Sequence, residues 1–370
     1  MIRPKVMVVF GTRPEAIKMA PVIWELKKHS EIKTIVAVTA QHRPMLDQML
    51  RLFDIKPDHD LDLMLENQTL VDLTQRIPRA LDRLFCQEKP DLVLVQGDTT
   101  TTLLTGLIAF YHKIEIGHVE AGLRTDNKYY PFPEEINRCL TSHLADLHFA
   151  STKRAKENLL KEGINSNKIF ITGNPVIDVL LAMIDKSYSL DLNFNFKKKK
   201  VILLTTHRRE NWGKPLENIC LAIKEIVKKN RDVVVAYPVH PNPNVRKLVY
   251  QILEKQERIR LTKPLDYKTF VNLMDRSYLI LTDSGGIQEE APSLGKPVLV
   301  LREVTERPEA VKAGTAKVVG HDIKRIIMET NNLLQNENEY QRMTRVKNPY
   351  GEGKASKKIV RTLLKHFSLK

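Results

Sequence analysis

Short apolar runs rich in β-branched residues alternate along the chain with longer stretches whose apolar positions recur every three or four residues. Val6–Phe10, Ile35–Thr39, Leu92–Gln96 and Leu147–Ser151 are apolar and bounded by turn or polar residues, the pattern of strands buried on both faces. Glu15–His29, Leu70–Phe85 and Thr152–Glu162 carry helical periodicity. The last opens on Ser151-Thr152, a capping pair, and stops at Gly163. Strand–helix–strand repetition predicts a parallel, doubly wound α/β sheet.

The alternation lapses once. Residues Lys186–Lys200 are polar, lack apolar periodicity and end in Lys197–Lys200, and they read as a linker or surface loop. It resumes with Val201–Leu204, Val233–Ala236, Tyr278–Thr282 and Val298–Leu301. The expected organisation is a Rossmann-like domain over 1–185, the linker 186–200, a second Rossmann-like domain over 201–355, and a final helix in 356–370. That helix follows the breaker Asn348-Pro349-Tyr350-Gly351, and periodicity leaves its docking place open, a return to the first domain included. Val9-Phe10-Gly11-Thr12-Arg13-Pro14-Glu15 and Leu204-Thr205-Thr206-His207-Arg208-Arg209-Glu210 open the two domains alike. Ligands of such sheets bind beyond the carboxyl ends of the strands. Two facing domains would put the best site in a central cleft.

Length agrees with this division, since 370 residues exceed one typical domain of roughly 100–200. Hydrophobic residues are 42% and charged residues 28%, which excludes collagen-like, coiled-coil and wholly disordered chains. The net charge of +15 fits a polyanion partner or a small phosphorylated ligand equally well. No apolar run approaches the roughly 20 residues of a membrane span. Met1–Phe10 lacks a long apolar region and a small-residue cleavage site, so it reads as a strand and not a signal peptide. Cys86, Cys139 and Cys220 are far apart and form no C-x-x-C, which argues against a disulfide framework or zinc ribbon and for a cytoplasmic protein with reduced thiols.

The chemistry lies in the turns after strands. Gly11-Thr12-Arg13-Pro14-Glu15 joins a close-approach glycine, an arginine and a helix start, which reads as an anion site or as a plain helix start. The chain has neither G-x-G-x-x-G nor a P-loop. Asp98, in Gly97-Asp98-Thr99-Thr100-Thr101-Thr102, reads as a helix cap or as an acid at the strand end. Glu120 is a charge within the strand-like run Ile114–Leu123, either paired, with Arg124 as the candidate, or functional. Glu134 and Arg138 have the spacing of an ordinary i,i+4 pair. His207-Arg208-Arg209 is an anion-binding candidate, and prolines stiffen the turn that carries His240. Thr282-Asp283-Ser284-Gly285-Gly286 leads from a strand into a helix whose N–H groups could cradle a diphosphate. Glu290 could accept from ribose hydroxyls, and Arg307 could reach the same place.

These segments resemble the non-hydrolysing UDP-N-acetylglucosamine 2-epimerases. The resemblance runs through Phe10–Pro21, Thr39–Gln48, Gln96–Thr102, Gly117–Arg124, Pro131–Arg138, Ile171–Asp178, His207–Asn211, Tyr237–His240, Thr282–Val300 and Thr305–Gly314, nearly the whole chain. It implies a two-domain fold like the GT-B glycosyltransferases, a cytoplasmic homodimer, no cofactor and no metal. The implied reaction interconverts UDP-GlcNAc and UDP-ManNAc, eliminating UDP to give 2-acetamidoglucal and adding it back with C2 inverted, in supply of envelope polysaccharide. By resemblance, Asp98 and Glu134 are candidate acid/base groups, Glu120 stabilises charge or shares proton transfer, and His207 assists the diphosphate. Arg13, Lys18, Ser284, Gly285, Gly286, Glu290 and Arg307 match UDP-sugar positions, and Phe270 is placed near the uracil. Gln41, Glu134, Arg208 and His240 fit a second, activating UDP-GlcNAc site, from which Pro44 and Asn67 depart. The alternatives are a hydrolysing UDP-GlcNAc 2-epimerase, a GT-B UDP-sugar glycosyltransferase and, from charge alone, a nucleic-acid binder. The arginines of the turns already suit a nucleotide diphosphate, so nucleic acid and membrane are not expected partners.

Overall fold

The computed structural model describes residues 3–41, 43–192 and 198–369, so Lys197, the head of the lysine run, lies outside the described residues. The chain divides into two units, Met1–Val179 with Tyr350–Lys370, and Leu180–Pro349.

In the first unit, seven described strands form one parallel sheet: β1 Lys5–Phe10, β2 Lys33–Val38, β3 His59–Asp60, β4 Leu92–Gln96, β5 Glu115–Ala121, β6 Leu147–Ala150 and β7 Ile169–Ile171. Their order is β3-β2-β1-β4-β5-β6-β7. The order reverses between β1 and β4, where the helices leaving the two strands part company and open a crevice at the carboxyl edge. β1 and β4 are nearly wholly apolar because both faces are covered. Met7, Val9, Val93 and Val95 pack with Leu73, Ile77, Leu81 and Leu84 of the helix Leu70–Glu88 and with Leu104 and Ile108 of the helix Thr100–Tyr111.

The second unit repeats the arrangement with β8 Lys200–Thr205, β9 Val233–Pro238, β10 Ile259–Thr262, β11 Leu279–Thr282, β12 Val298–Val300 and β13 Ala316–Val318. These are parallel in the order β10-β9-β8-β11-β12-β13, with the reversal between β8 and β11. This is the expected α/β class, two Rossmann-like sheets. The short edge strands β3, β7, β10 and β13 were not expected from the sequence pattern.

Specific bonds set the division of the chain. Asp178 receives the N–H groups of Ala355 and Ser356 at 3.0 and 2.9 Å, capping the C-terminal helix Ala355–His366. That helix packs on Arg13–Leu26, the helix after β1, and so belongs to the first unit. Asn272 donates to the carbonyl of Met183 and accepts from the N–H of Asp185, holding that segment to the second unit. Among the described residues, no helix is long and apolar enough to cross a membrane.

Candidate active site

A cavity of about 480 Å³ opens at the reversal point of the first sheet, lined by the turns after β1, β2 and β4, by Glu120 of β5 and by the start of the helix Glu134–Leu144. Gly11 has to be glycine, since a Cβ there would lie 2.0 Å from Thr39 Oγ1. Three residues on, Pro14 occupies the first turn of the helix. Glu15 is fully buried. Its carboxylate accepts the N–H groups of Gly11 (3.0 Å) and Thr12 (2.8 Å) and the hydroxyls of Thr99 (2.7 Å) and Thr102 (3.1 Å). One buried acid thus ties the β1 turn to the β4 turn. Burial pushes its pKa up against these donors.

Glu120 is only 6% exposed and carries φ +65°, a left-handed backbone that costs a non-glycine residue energy. It sits where the β5–β6 register slips between Val119 and Ala121, so the bulge turns the side chain towards the cavity. Lys18 Nζ reaches both carboxylate oxygens at 2.6 and 2.5 Å, while Gln96 and Asn174 donate at 2.5 and 2.7 Å. Lys18, and not Arg124, is therefore the partner of Glu120. Arg124 binds Glu162 at 2.6 Å through two nitrogens.

Asp98 does not cap the following helix, because Thr99 does, accepting the N–H of Thr102. Instead Arg138 Nη2 meets Asp98 Oδ2 at 2.7 Å, and Asn137 Nδ2 donates to the Asp98 carbonyl at 2.9 Å. Arg138 also meets Glu135 at 3.4 Å, so the expected local pair with Glu134 gives way to a long-range one. Glu134, at the first turn of its helix, is half-buried. Burial raises its pKa, its own N–H opposes, and the charge of Asp98 raises it further. His118, buried in β5, bonds the carbonyl of Gly97 at 2.7 Å through Nε2, and burial holds its pKa down to about 4. It therefore stays a neutral brace for the Asp98 turn. Gln41 and Arg13 line the same cavity, and Thr101 Oγ1 donates to Gln41 at 2.9 Å.

At the reversal point of the second sheet, fully buried Asp283 accepts the N–H groups of His207 and Arg208 at 3.0 Å and Asn211 Nδ2 at 2.9 Å. It also faces His207 Nδ1 at 3.2 Å. Burial lowers the His207 pKa, and Asp283 opposes it. His240 stands beside it, ring centroids 6.3 Å apart. The Arg208 and Arg307 guanidinium groups flank Gly285, within 3.8 Å of where a Cβ would stand, and Glu290 Oε1 comes within 3.5 Å of the same position on Gly286. Glu306 receives Arg208 and Arg302 at 3.4 and 3.2 Å. Burial would raise its pKa, but Arg208, Arg302 and Arg307 together hold it below the usual value. Ser284 precedes the short helix Gly285–Glu290, and its N–H is bound by Thr282 Oγ1 at 2.9 Å. Phe270 lies half-buried on a separate helix, Tyr267–Arg276.

Of the expected residues, the first unit brings together Arg13, Lys18, Gln41, Asp98, Glu120 and Glu134, and the second brings together His207, Arg208, His240, Ser284, Gly285, Gly286, Glu290 and Arg307. Sequence reading missed Glu15, Gln96, His118, Arg138 and Asn174 as the groups that hold them in place.

A family model described as UDP-N-acetylglucosamine 2-epimerase matches residues 24–364. The UDP-N-acetylglucosamine 2-epimerase of Bacillus subtilis is 55% identical over 99% of this chain and 97% of its own, and that of Escherichia coli K12 is 54% identical over 97% and 98%. A crystal structure of the Neisseria meningitidis UDP-GlcNAc 2-epimerase bound to UDP-GlcNAc superposes with a TM-score of 0.88 at 53% identity, covering 98% of this chain and 100% of that one. A full-length match of this kind, over a chain whose charged turns line the carboxyl edges of two Rossmann-like sheets, places the protein in the UDP-N-acetylglucosamine 2-epimerase family.

Proposed function

We propose that this chain interconverts UDP-GlcNAc and UDP-ManNAc without net hydrolysis, by eliminating UDP to 2-acetamidoglucal and adding it back with C2 inverted. The observation that carries the reading is the set of four carboxylates lining one cavity, Glu15, Asp98, Glu120 and Glu134, each in a different electrostatic setting. The C2 proton has no adjacent carbonyl and is barely acidic. Direct removal is therefore slow, and loss of UDP first makes C1 cationic and C2–H removable. Glu120, clamped by Lys18, Gln96 and Asn174, suits a fixed negative charge facing that cation. Glu134, with its raised pKa, suits a group that gives and takes a proton, and Asp98 is its acid/base counterpart. A raised and a charge-paired carboxylate can exchange roles when the reaction reverses.

In the second unit, Arg208 and Arg307 over Gly285 suit a diphosphate, with Glu290 for ribose hydroxyls and His207 assisting the departing charge. In the first unit Arg13 and Lys18 supply cationic groups, and in the second Phe270 offers an apolar face suited to the base. The proposal includes a homodimer, supported by the exposed Phe110, Ile136 and Leu140 on neighbouring helices. It places the enzyme in the cytoplasm, feeding ManNAc to envelope polysaccharide. Activation by a second UDP-GlcNAc rests on Gln41, Arg208 and His240, with Pro44 supplying no side-chain hydrogen bond.

Product analysis tests this. With UDP-GlcNAc alone, the expected product is UDP-ManNAc at equilibrium with substrate, with no free sugar accumulating. Free ManNAc with stoichiometric UDP would establish the hydrolysing reaction, and GlcNAc transfer to an added acceptor would establish a glycosyltransferase.

A further inference from the structure

The helices Leu70–Glu88 and Thr100–Tyr111 lie side by side in the first unit. The second starts at the candidate active site and runs away from it, so its far end is about 18 Å distant, at 1.5 Å per residue over its 12 residues. The first helix ends beside the start of β1, where Lys5 Nζ donates to the carbonyl of Glu88. At this remote edge Asp82 and Cys86, four residues apart, share one exposed helix face, and His112 closes the neighbouring helix. His112 Nε2 lies 2.7 Å from Asp82 Oδ1. An edge-on contact with Phe85, centroids 5.9 Å apart at 84°, helps hold the imidazole in that direction. One ligand atom from each of the three residues lies within 4.8 Å of the others.

We propose that Asp82, Cys86 and His112 form a zinc(II) site with three protein ligands and one water, clamping the ends of these two helices together. Zn–ligand bonds of about 2.0–2.3 Å place tetrahedral ligand atoms roughly 3.2–3.8 Å apart. Small rotations of the exposed Asp82 and Cys86 side chains reach that spacing, and the 2.7 Å His112–Asp82 contact opens by about half an ångström to admit the ion. The thiol proton leaves to solvent, His112 binds as the neutral tautomer that carries its proton on Nδ1 and offers the Nε2 lone pair to the ion, and nothing is oxidised or reduced. A mixed sulfur, nitrogen and oxygen set selects zinc over magnesium or calcium, which take oxygen ligands. Cys86 is the exposed thiol. Cys139 is part-buried with its pKa pushed up by burial, and Cys220 is buried with its thiol pushed up to about 12. The site is independent of the proposed epimerisation, which uses no metal.

The probe is cobalt(II), titrated into untagged full-length protein kept reduced and stripped of metal by chelation. The expected result is a sulfur-to-cobalt charge-transfer band with tetrahedral d–d absorption, saturating at one equivalent per chain and bleached by zinc. The bands vanish in Cys86→Ser and in His112→Ala and persist in Cys139→Ser. Zinc raises the Tm of the wild type and leaves that of Cys86→Ser unchanged, while turnover of UDP-GlcNAc is the same in both. A wild-type protein without the charge-transfer band, or a band that survives Cys86→Ser, overturns the proposal.

Discussion

The first unit buries several carboxylates at its reversal point and satisfies them with hydroxyls, amides and one lysine. The second buries Asp283 under backbone N–H groups and Glu289 against Arg307, and sets the Arg208 and Arg307 guanidinium groups beside a glycine turn. Topology is shared, because both sheets reverse order between their first and fourth strands. What differs is the sign of the charge presented. Acids whose surroundings separate their pKa values suit proton transfer, and arginines over a helix start suit binding of an anion that must leave and return. In each unit a wholly buried acid ties neighbouring turns together: Glu15 joins the β1 and β4 turns, and Asp283 joins the β8 and β11 turns.

That contrast yields predictions in descending order of effect. Glu134→Gln and Asp98→Asn should each lower turnover about 10²–10⁴-fold, the scale of lost acid–base catalysis, while UDP affinity measured by calorimetry stays near wild type. Equal losses in turnover and UDP binding would break the division of labour. Glu120→Gln leaves the Lys18 ammonium, 20% exposed, without its counter-charge and should cost about 2–4 kcal/mol in chemical denaturation. Lys18→Met in the same background should recover part of that loss. Arg307→Ala should weaken UDP binding about 10–100-fold, the equivalent of one charge-assisted hydrogen bond, with Glu134 unaffected.

The smallest effect concerns Glu15. Its folded pKa is raised above the ordinary 4.5, so between those values the folded state holds a proton that the unfolded state has lost. Stability therefore falls as pH rises from about 4.5 through the raised folded value. In Glu15→Gln this decline should be absent from a pH series of denaturant midpoints. A decline of the same size in the variant would assign the effect to another group.

Much of the fold was legible because central strands of a parallel sheet are continuous apolar runs: Leu92–Gln96 was read with its observed ends, and β1, β2, β6, β8 and β11 within two residues at either end. The edge strands β3, β7, β10 and β13 escaped because two to four residues covered on one side carry no periodic signal. The chemistry-bearing turns were legible as residue types out of place, such as an acid in a strand or arginines after one. Their partners were not. Spacing suggested Arg124 for Glu120 and Arg138 for Glu134, whereas Lys18 stands 102 residues from Glu120, and Arg138 reaches back to Asp98. Glu15 read as a helix-start residue because the threonines it binds are 84 and 87 positions away. Pairing across a sheet's reversal point is set by strand order, which local spacing does not encode.

The central claim is that C2 of the sugar loses its proton to a protein carboxylate and regains one from solvent on the opposite face. The direct measurement is incubation with UDP-GlcNAc in D2O, followed by NMR and mass analysis of both UDP-sugars. The account predicts UDP-ManNAc carrying deuterium at C2, with incorporation slowed in Glu134→Gln and Asp98→Asn along with turnover. UDP-ManNAc that retains the original C2 hydrogen, or no product and no exchange even with fresh UDP-GlcNAc present, would contradict it.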